Sequence, residues 1–425
     1  MAHTIGIDAR KLQDFGIGTY VRQLITNLAE IDQENRYVLL TAPQHRDALA
    51  DLPENFRAVT ERSKVYSLGE FFQLTWKLYR LKLDLYHATH YVLPAICPCK
   101  VVVTIHDIIH LLYPEYLPNR FAFFYAQRMI RHSLSQGDRI ITVSKNTRRD
   151  LQRYYSVSDQ KIQVIYNGVE DDFRRSLDEE QRQSVRQRLD LERPYILFVG
   201  NPKPHKNLPN VLRAYARARE LGEMEAQLVV AGDKDGSSDG LKRQAEFLRI
   251  SEHVRFLGHV DQEDLPALYQ NAELFLYPTL YEGFGLPVIE AMASGVAVIT
   301  SDTSALKEIA EGYAHLVSPL DVEEMARAIA HCMRDGEHRG ALAKLGRRRS
   351  ADFRWQRCAK KTLEIYRSVL EPERQPNGSE SPSEPGKRKM VTSATGSYSF
   401  TTPGGEGRAQ TVEEDDAQQA QGKAP

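Results

Sequence analysis

Short apolar runs of strand length, separated by helix-length segments, recur in two series along this chain, and that alternation leaves few folds open. The first series comprises Thr4 to Asp8, Tyr37 to Thr41, Leu83 to Ala88, Val101 to Asp107, Arg139 to Ser144 and Lys161 to Tyr166. The second comprises Tyr195 to Gly200, Gln227 to Gly232, Val254 to Leu257, Leu274 to Pro278, Val296 to Thr300 and His315 to Val317. Such alternation points to parallel sheets covered by helices on both faces. Two doubly wound α/β domains are expected, residues 1–169 and 170–351. They join after the Asn167-Gly168-Val169 turn, through a polar stretch from Glu170 to Arg193 that reads as a solvated helix. Strand C-termini of the two sheets would line a cleft, where open α/β sheets bind ligands. Residues 352–370 place Trp355, Ala359, Thr362, Tyr366 and Val369 at helical spacing and so have one face to bury. From 371 to 425 there is no Leu or Ile, and Ser, Pro, Gly, Glu and Gln dominate, so that tail is expected to be disordered.

With 425 residues there is ample material for two cores. A formal net charge of −1 supplies no whole-molecule field for nucleic acid or a membrane, so no nucleic-acid partner is expected. The four cysteines are too few for a disulfide framework, and Cys97-Pro-Cys99 lacks the spacer of a zinc knuckle. The N-terminus enters a strand almost at once, without a signal-peptide pattern, and no run approaches the ~18 apolar residues of a membrane span. A cytoplasmic protein is the expectation. Two stretches mix aromatics with bases, Phe71 to Lys82 and Phe121 to His132. Helices with an apolar core face and a basic solvent face account for both, with peripheral contact at the inner face of a membrane as the alternative.

The chemistry concentrates at Glu282-Gly-Phe-Gly-Leu-Pro-Val-Ile-Glu290. The run Glu273 to Thr279 before it reads as a buried strand, and Leu286 to Ser294 after it as a helix closed by Gly295. Around Gly283, Phe284, Gly285 and Leu286, a strand, a glycine turn and a helix start would turn backbone N–H groups and a positive dipole end toward an anion. Glu290, one turn into the helix, could accept two hydrogen bonds from a vicinal diol such as a ribose, and Glu282 would sit nearer a reacting sugar. A second turn, Gly16-Ile-Gly18, opens a helix after the first strand. It lacks the third glycine of the dinucleotide fingerprint, and Thr41-Ala-Pro-Gln offers no acidic ribose ligand, which disfavours NAD. A plain strand-to-helix turn explains it equally. His106-Asp107 ends a hydrophobic strand, where a carbonyl-anchored His and a capping Asp would also fit. Asp233-Lys-Asp235 spells a metal-binding pattern, but in a loop rich in turn residues it reads as a turn.

The run Tyr277-Pro-Thr-Leu-Tyr-Glu-Gly-Phe-Gly-Leu-Pro-Val-Ile-Glu-Ala-Met-Ala-Ser-Gly-Val-Ala-Val-Ile-Thr-Ser301 resembles the retaining glycosyltransferases of family 4, and the likeness extends from about Ile5 to Leu370. That resemblance implies the GT-B architecture, two Rossmann-like domains facing across a cleft with the last helix crossing back to the first. It implies Gly16 and Gly18 beside the donor phosphates, and His106 against the donor sugar's hydroxyls. Lys206 would be the phosphate-binding lysine, and Lys203 stands where many members have an arginine. The Gly258-His259-Val260 loop would meet the nucleobase through its main chain, and His90 and His110 would lie toward the acceptor. The segments Gly-Ile-Gly-Thr-Tyr, His-Tyr-Val-Leu-Pro and Ile-His-Asp-Ile-Ile-His look most like bacterial mannosyltransferases of surface polysaccharide synthesis. They imply transfer of a hexose from a nucleotide diphosphate sugar, GDP-mannose, to a glycan or lipid-linked glycan with retention and no obligatory metal. The rival expectations are a nucleotide-sugar epimerase of the same fold and a non-enzymatic sugar-nucleotide-binding protein.

Overall fold

The computed structural model describes residues 2–63, 68–222, 224–233 and 238–371. The expected disordered tail and Asp235 of the Asp-x-Asp pattern fall outside them. Seven strands form the first sheet: β1 (Thr4–Asp8), β2 (Arg36–Thr41), β3 (Phe56–Thr60), β4 (Leu85–Ala88), β5 (Lys100–Ile105), β6 (Arg139–Thr142) and β7 (Ile162–Val164). Six form the second: β8 (Tyr195–Val199), β9 (Gln227–Ala231), β10 (Val254–Gly258), β11 (Leu274–Tyr277), β12 (Val298–Ser301) and β13 (His315–Val317). Neighbouring strands run parallel, in the orders β3-β2-β1-β4-β5-β6-β7 and β10-β9-β8-β11-β12-β13. Each sheet therefore reverses its winding once, between β1 and β4 and between β8 and β11. At such a reversal the loops leaving two adjacent strands part in opposite directions and open a crevice at the strand C-termini.

Twelve of these strands correspond to apolar runs in the sequence, and β3 does not. It is an edge strand buried only at Phe56, with Arg57 exposed, so it never needed a continuous apolar stretch. The helix Leu286–Ala293 ends as the glycine suggested. The N–H groups of Val296 and Gly295 donate to the Ala291 and Met292 carbonyls, both at 3.1 Å. The helix Trp355–Leu370 buries Trp355, Ala359, Thr362, Tyr366 and Val369 against the first sheet's layer, on the helix Phe15–Ile31. Beside the hinge, the Val169 N–H donates to the Phe353 carbonyl at 3.2 Å.

The two halves meet in specific contacts as well. Glu308, on the helix Ser304–Ala310, accepts from the Lys145 and Asn146 N–H groups, each at 2.9 Å, and from the Tyr166 hydroxyl at 2.7 Å. It thus caps, from the second half, the N-terminus of the first-half helix Lys145–Tyr154, where a carboxylate suits the helix dipole. The Tyr281 hydroxyl donates to Asp150 on that same helix at 2.7 Å.

The mixed aromatic and basic helices differ from expectation. On Leu68–Leu81 the core is reached by Leu74 and Leu78, while Phe72, Trp76 and Tyr79 point outward at 68%, 61% and 72% exposure. Phe121 and Phe124 on the helix Arg120–Gln136 are also exposed. The Arg80 guanidinium lies over the Trp76 ring at 4.5 Å. On Leu68–Leu81 aliphatic residues make the core side and Phe72, Trp76 and Tyr79 an outer face, whereas Phe123 of the other helix packs on the core.

Candidate functional site

Both winding reversals carry the residues that the sequence singled out. From β11 the chain leaves through Tyr277 to Glu282, and from β8 through Gly200 to Lys206, so the two loops flank one crevice. Lys206 Nζ lies 2.7 Å from Glu282 Oε1 and donates to the Tyr277 hydroxyl at 2.8 Å; that hydroxyl in turn donates to Glu282 at 3.0 Å. Lysine and carboxylate are each about 15% exposed or less, so the pair is mostly withdrawn from water yet open on one side. In that setting a cation is strengthened as a ligand for an incoming anion, because less water screens it. The buried Tyr277 phenol is held well above its ordinary value by burial and by the charges of Glu282 and then Glu290, so it remains a neutral donor.

Glu290 is held separately. It accepts from the Tyr269 hydroxyl at 3.0 Å, and burial pushes its carboxyl up to about 7 against that stabilising hydrogen bond, with Glu170 adding to the rise. At neutral pH it is poised between acid and carboxylate. Rings of Tyr269, Phe275 and Tyr277 pack in succession, with centroid separations of 5.3 and 5.6 Å. One aromatic ladder thereby positions both acidic residues.

Across the crevice stands the end of β5. His106 Nε2 is 2.9 Å from the Thr89 carbonyl, which can only accept, so Nε2 carries the proton and Nδ1 is left as an acceptor. Burial lowers the imidazole's affinity for a second proton, against the Thr89 hydrogen bond, and keeps the ring neutral. Tyr20 meets the ring edge-on at 4.9 Å. The His106 backbone packs on the glycine turn itself. A Cβ at Gly283 would run into the His106 carbonyl oxygen and stand 2.9 Å from Asp107 Cβ. The Thr147 hydroxyl lies 3.1 Å from the His106 carbonyl and 3.3 Å from that of Gly283, tying the two halves at this point.

Gly285 has φ +107° and forms the N-cap of Leu286–Ala293. Pro287 has no N–H to give, so the donors turned to an anion are those ahead of it, at the turn and at Leu286. Leu286 packs against the cores of both halves. The Phe284 ring is buried against Tyr166 and Phe353, leaving only its main chain to face the cleft. On the other side, Gly16 and Gly18 lie within the first turn of the helix Phe15–Ile31 instead of ahead of it. The Asp14 side chain is drawn off by Lys11 Nζ at 2.6 Å and makes no cap bond, while the Gly18 N–H donates to the Asp14 carbonyl, so this turn has no side-chain cap. Lys203 is exposed on the loop after β8, and its charge adds to burial in disfavouring protonation of His205 and of His110 of the first half. His259 is half exposed, 3.7 Å from Asp261, on the loop after β10 and apart from the Lys206 group. His90 is buried near Asp8.

Three features escaped the sequence. Asp8 and Arg10, both essentially buried, pair through two hydrogen bonds of 2.9 and 2.6 Å, and Tyr86 donates to Asp8 at 3.0 Å. Burial opposes the charge on Asp8, but Arg10 overcomes it and holds the carboxyl far below its usual range. This pair fixes the loop that leads into the Gly16 turn; its only signal was Asp-x-Arg at a strand's C-terminal end. The Tyr277 hydroxyl became visible only once β11 and β8 were adjacent. Tyr113 and Tyr116 stack with centroids 5.1 Å apart and planes within 3°, and they touch Tyr281 and His205 of the other half at 6.2 and 6.1 Å. That aromatic group spans the cleft mouth beside Lys206. Among the described residues, no helix is long and apolar enough to cross a membrane.

Comparisons with known proteins agree with this arrangement. The family described as "Glycosyl transferases group 1" matches residues 179–349, and "Glycosyltransferase Family 4" matches residues 16–173. The O-antigen chain mannosyltransferase B of Escherichia coli is 29% identical over 292 residues, covering 69% of this chain and 76% of that protein. The O-antigen chain mannosyltransferase RfbU of Salmonella typhimurium is 26% identical over 327 residues, covering 74% and 86%. The structure of Anabaena HepE with UDP and glucose superposes with a TM-score of 0.68 at 18% identity, over 86% of this chain and all of that one, and so shares the fold. The paired parallel sheets, the crevice at their winding reversals and the two family matches, which together span most of the chain, make this protein a GT-B glycosyltransferase of family 4, group 1.

Proposed function

We propose that this enzyme moves mannose from a nucleotide diphosphate sugar, GDP-mannose, to a hydroxyl of a glycan or lipid-linked glycan with retention at the anomeric carbon. The observation that carries the reading is the Lys206, Glu282 and Tyr277 group beneath the glycine turn, with His106 opposite. Departure of the nucleoside diphosphate leaves negative charge on the leaving oxygen. Lys206 and the main-chain donors at Leu286 and the Gly16 turn meet that charge where it develops, and Lys203 adds to the field. Preorganised positive charge of this kind makes a metal dispensable. Lys206 must then exchange its Glu282 contact for phosphate, which frees Glu282 to accept from the sugar's hydroxyls. His106 Nδ1 accepts from another hydroxyl, and Glu290, ionised, takes the ribose diol. With front-face attack, the departing phosphate oxygen receives the acceptor's proton. The mannose assignment is supported by the names of the two curated relatives.

The stacked Tyr113 and Tyr116, with Tyr281 and His205, offer apolar faces on which an acceptor pyranose can lie. The outward Phe72, Trp76, Tyr79, Phe121 and Phe124 suit the headgroup level of a membrane carrying a lipid-linked acceptor, at the inner face. The test is transfer to a mannose-containing acceptor from GDP-mannose, UDP-glucose, UDP-N-acetylglucosamine and ADP-glucose, with the product anomer read by proton NMR. The expected result is an α-mannoside from GDP-mannose alone, with Lys206→Ala slowing turnover about 10²–10³-fold. A β-product, release of a free epimerised sugar, or Lys206→Ala turning over as wild type would overturn the reading.

A further inference from the structure

At the end of the second sheet remote from the cleft lies a group of side chains that sugar transfer does not use. His315 opens β13, His331 and Cys332 fall near the C-terminus of the helix Val322–Arg334, and His338 lies in the first turn of the helix Gly336–Ser350. One ligand atom from each of His315, Cys332 and His338 lies within 4.8 Å of the other two. The His331 ring stands 4.6 Å from that of His338. Three of the chain's 13 histidines thus gather around one fully buried cysteine, an arrangement that would be repulsive were the imidazoles protonated. A second observation points to a ligand. His338 Nε2 is buried and has no hydrogen-bond partner among the described residues, which is unfavourable for a ring nitrogen unless something else fills the role.

The frame around the group is fixed. Asp335 caps the second helix by accepting from the His338 N–H at 2.9 Å, and Arg339 donates to the Cys332 carbonyl at 2.8 Å while pairing with Glu273 at 2.7 Å. Burial pushes the Cys332 thiol up to about 11, so without a cation it is protonated. Two imidazoles and one thiolate are the donor set of a soft or borderline divalent ion, with metal–nitrogen and metal–sulfur bonds of about 2.0–2.1 and 2.3 Å. Tetrahedral bonds of those lengths set ligand atoms about 3.4–3.6 Å apart, so atoms at the 4.8 Å limit need to close by about 1.3 Å, within reach of side-chain rotations.

We propose that His315, Cys332 and His338 form a structural site for a zinc-class divalent ion, completed by water or by His331. Binding replaces the Cys332 proton, which is released to solvent, by the metal–sulfur bond. The ion would tie β13 to the two helices behind it, the second of which leads directly into the return segment at Phe353. The site is independent of the donor reading and lies at the strand's N-terminal end, away from the crevice.

The test uses the full chain with any affinity tag removed and adventitious metal stripped by chelator. Titration with Co²⁺ is expected to give one equivalent with a thiolate-to-cobalt charge-transfer band. One equivalent of Zn²⁺ should bleach that band, with the Tm rising on metal binding. Cys332→Ser should abolish the band, and His338→Gln and His315→Gln should each weaken Zn²⁺ binding at least about tenfold while the far-UV circular dichroism is unchanged. Should Cys332→Ser fail to fold, zinc K-edge X-ray absorption of the wild-type chain replaces it, with one sulfur ligand at about 2.3 Å expected. Absence of the band, its survival in folded Cys332→Ser, a zinc shell without sulfur, or undiminished affinity in both histidine variants would overturn the proposal.

Discussion

The turn at Gly16 and Gly18 and the turn at Gly283 and Gly285 look alike as sequence, each a Gly-x-Gly between a strand and a helix, yet each glycine answers a different constraint. In the first half the need is local: a Cβ on Gly18 would lie 2.5 Å from the Leu12 carbonyl oxygen of its own loop, while one on Gly16 would meet only Leu286 Cδ1 at 3.5 Å. In the second half one glycine answers to the partner half and the other to its own turn. Gly283 leaves room for the His106 backbone, and Gly285 adopts a left-handed conformation that a side chain would strain. The first turn serves its own helix; the second lets the two halves approach until His106 and Glu282 border one crevice.

That contrast sets the size of what substitutions should do. Gly283→Ala is expected to have the largest effect. The obstruction is backbone, which cannot swing aside, so the crevice must open; misplacement of about 1 Å costs on the order of 10²-fold in turnover, measured as kcat under saturating donor. Circular dichroism should be unchanged, since neither sheet is touched. Gly18→Ala should instead lower stability by about 2 kcal/mol, read as a shift in thermal or urea unfolding, because the loop beneath it is overpacked. If Gly18→Ala impaired turnover more than Gly283→Ala did, the contrast would be the wrong way round.

Glu290 sharpens the comparison through pH. Its carboxyl is raised to about 7, so it is neutral below that and ionised above. On the proposed function the ionised form is the one that takes the ribose diol, so donor affinity should climb as pH rises toward 7 and level beyond it. Glu290→Gln should lose that slope and about tenfold in donor affinity at pH 8, near 1.4 kcal/mol. In the ligand-free protein the sign is opposite. A raised acid favours folding most at low pH, and this contribution fades as pH climbs from the ordinary carboxylate value through about 7, as denaturation across that window would show. The smallest effect is expected for Gly16→Ala, whose Cβ meets ordinary van der Waals contact: stability within about 0.5 kcal/mol of wild type by chemical denaturation.

Much of the fold could be read in advance because buried parallel strands need unbroken apolar runs. The exception, β3, pairs at an edge, and half-buried residues such as Val59 with exposed Arg57 leave no such run. Helix faces were readable where aliphatics mark the core, and misread on Leu68–Leu81, where bulky aromatics look outward. In the candidate site, Glu282, Glu290 and the glycine turn share one segment and so announced themselves. What joins them to Lys206 did not, because the Tyr277 hydroxyl acts across two strands whose adjacency is a property of sheet order. Glu308 capping a helix 162 residues away, or Tyr113 beside Tyr281, belongs to the same class: local sequence carries no trace of the partner.

In the proposed function Lys206 grips the donor's diphosphate while Glu282, released from it, holds the sugar. Calorimetric titration of GDP and GDP-mannose into wild type, Lys206→Ala and Glu282→Gln tests this most directly. Lys206→Ala is expected to lose about tenfold or more in affinity for GDP itself. Glu282→Gln should bind GDP at least as well as wild type but lose the extra affinity that the mannosyl group confers. Equal binding of both ligands by all three proteins, or a loss of GDP binding confined to Glu282→Gln, would contradict it.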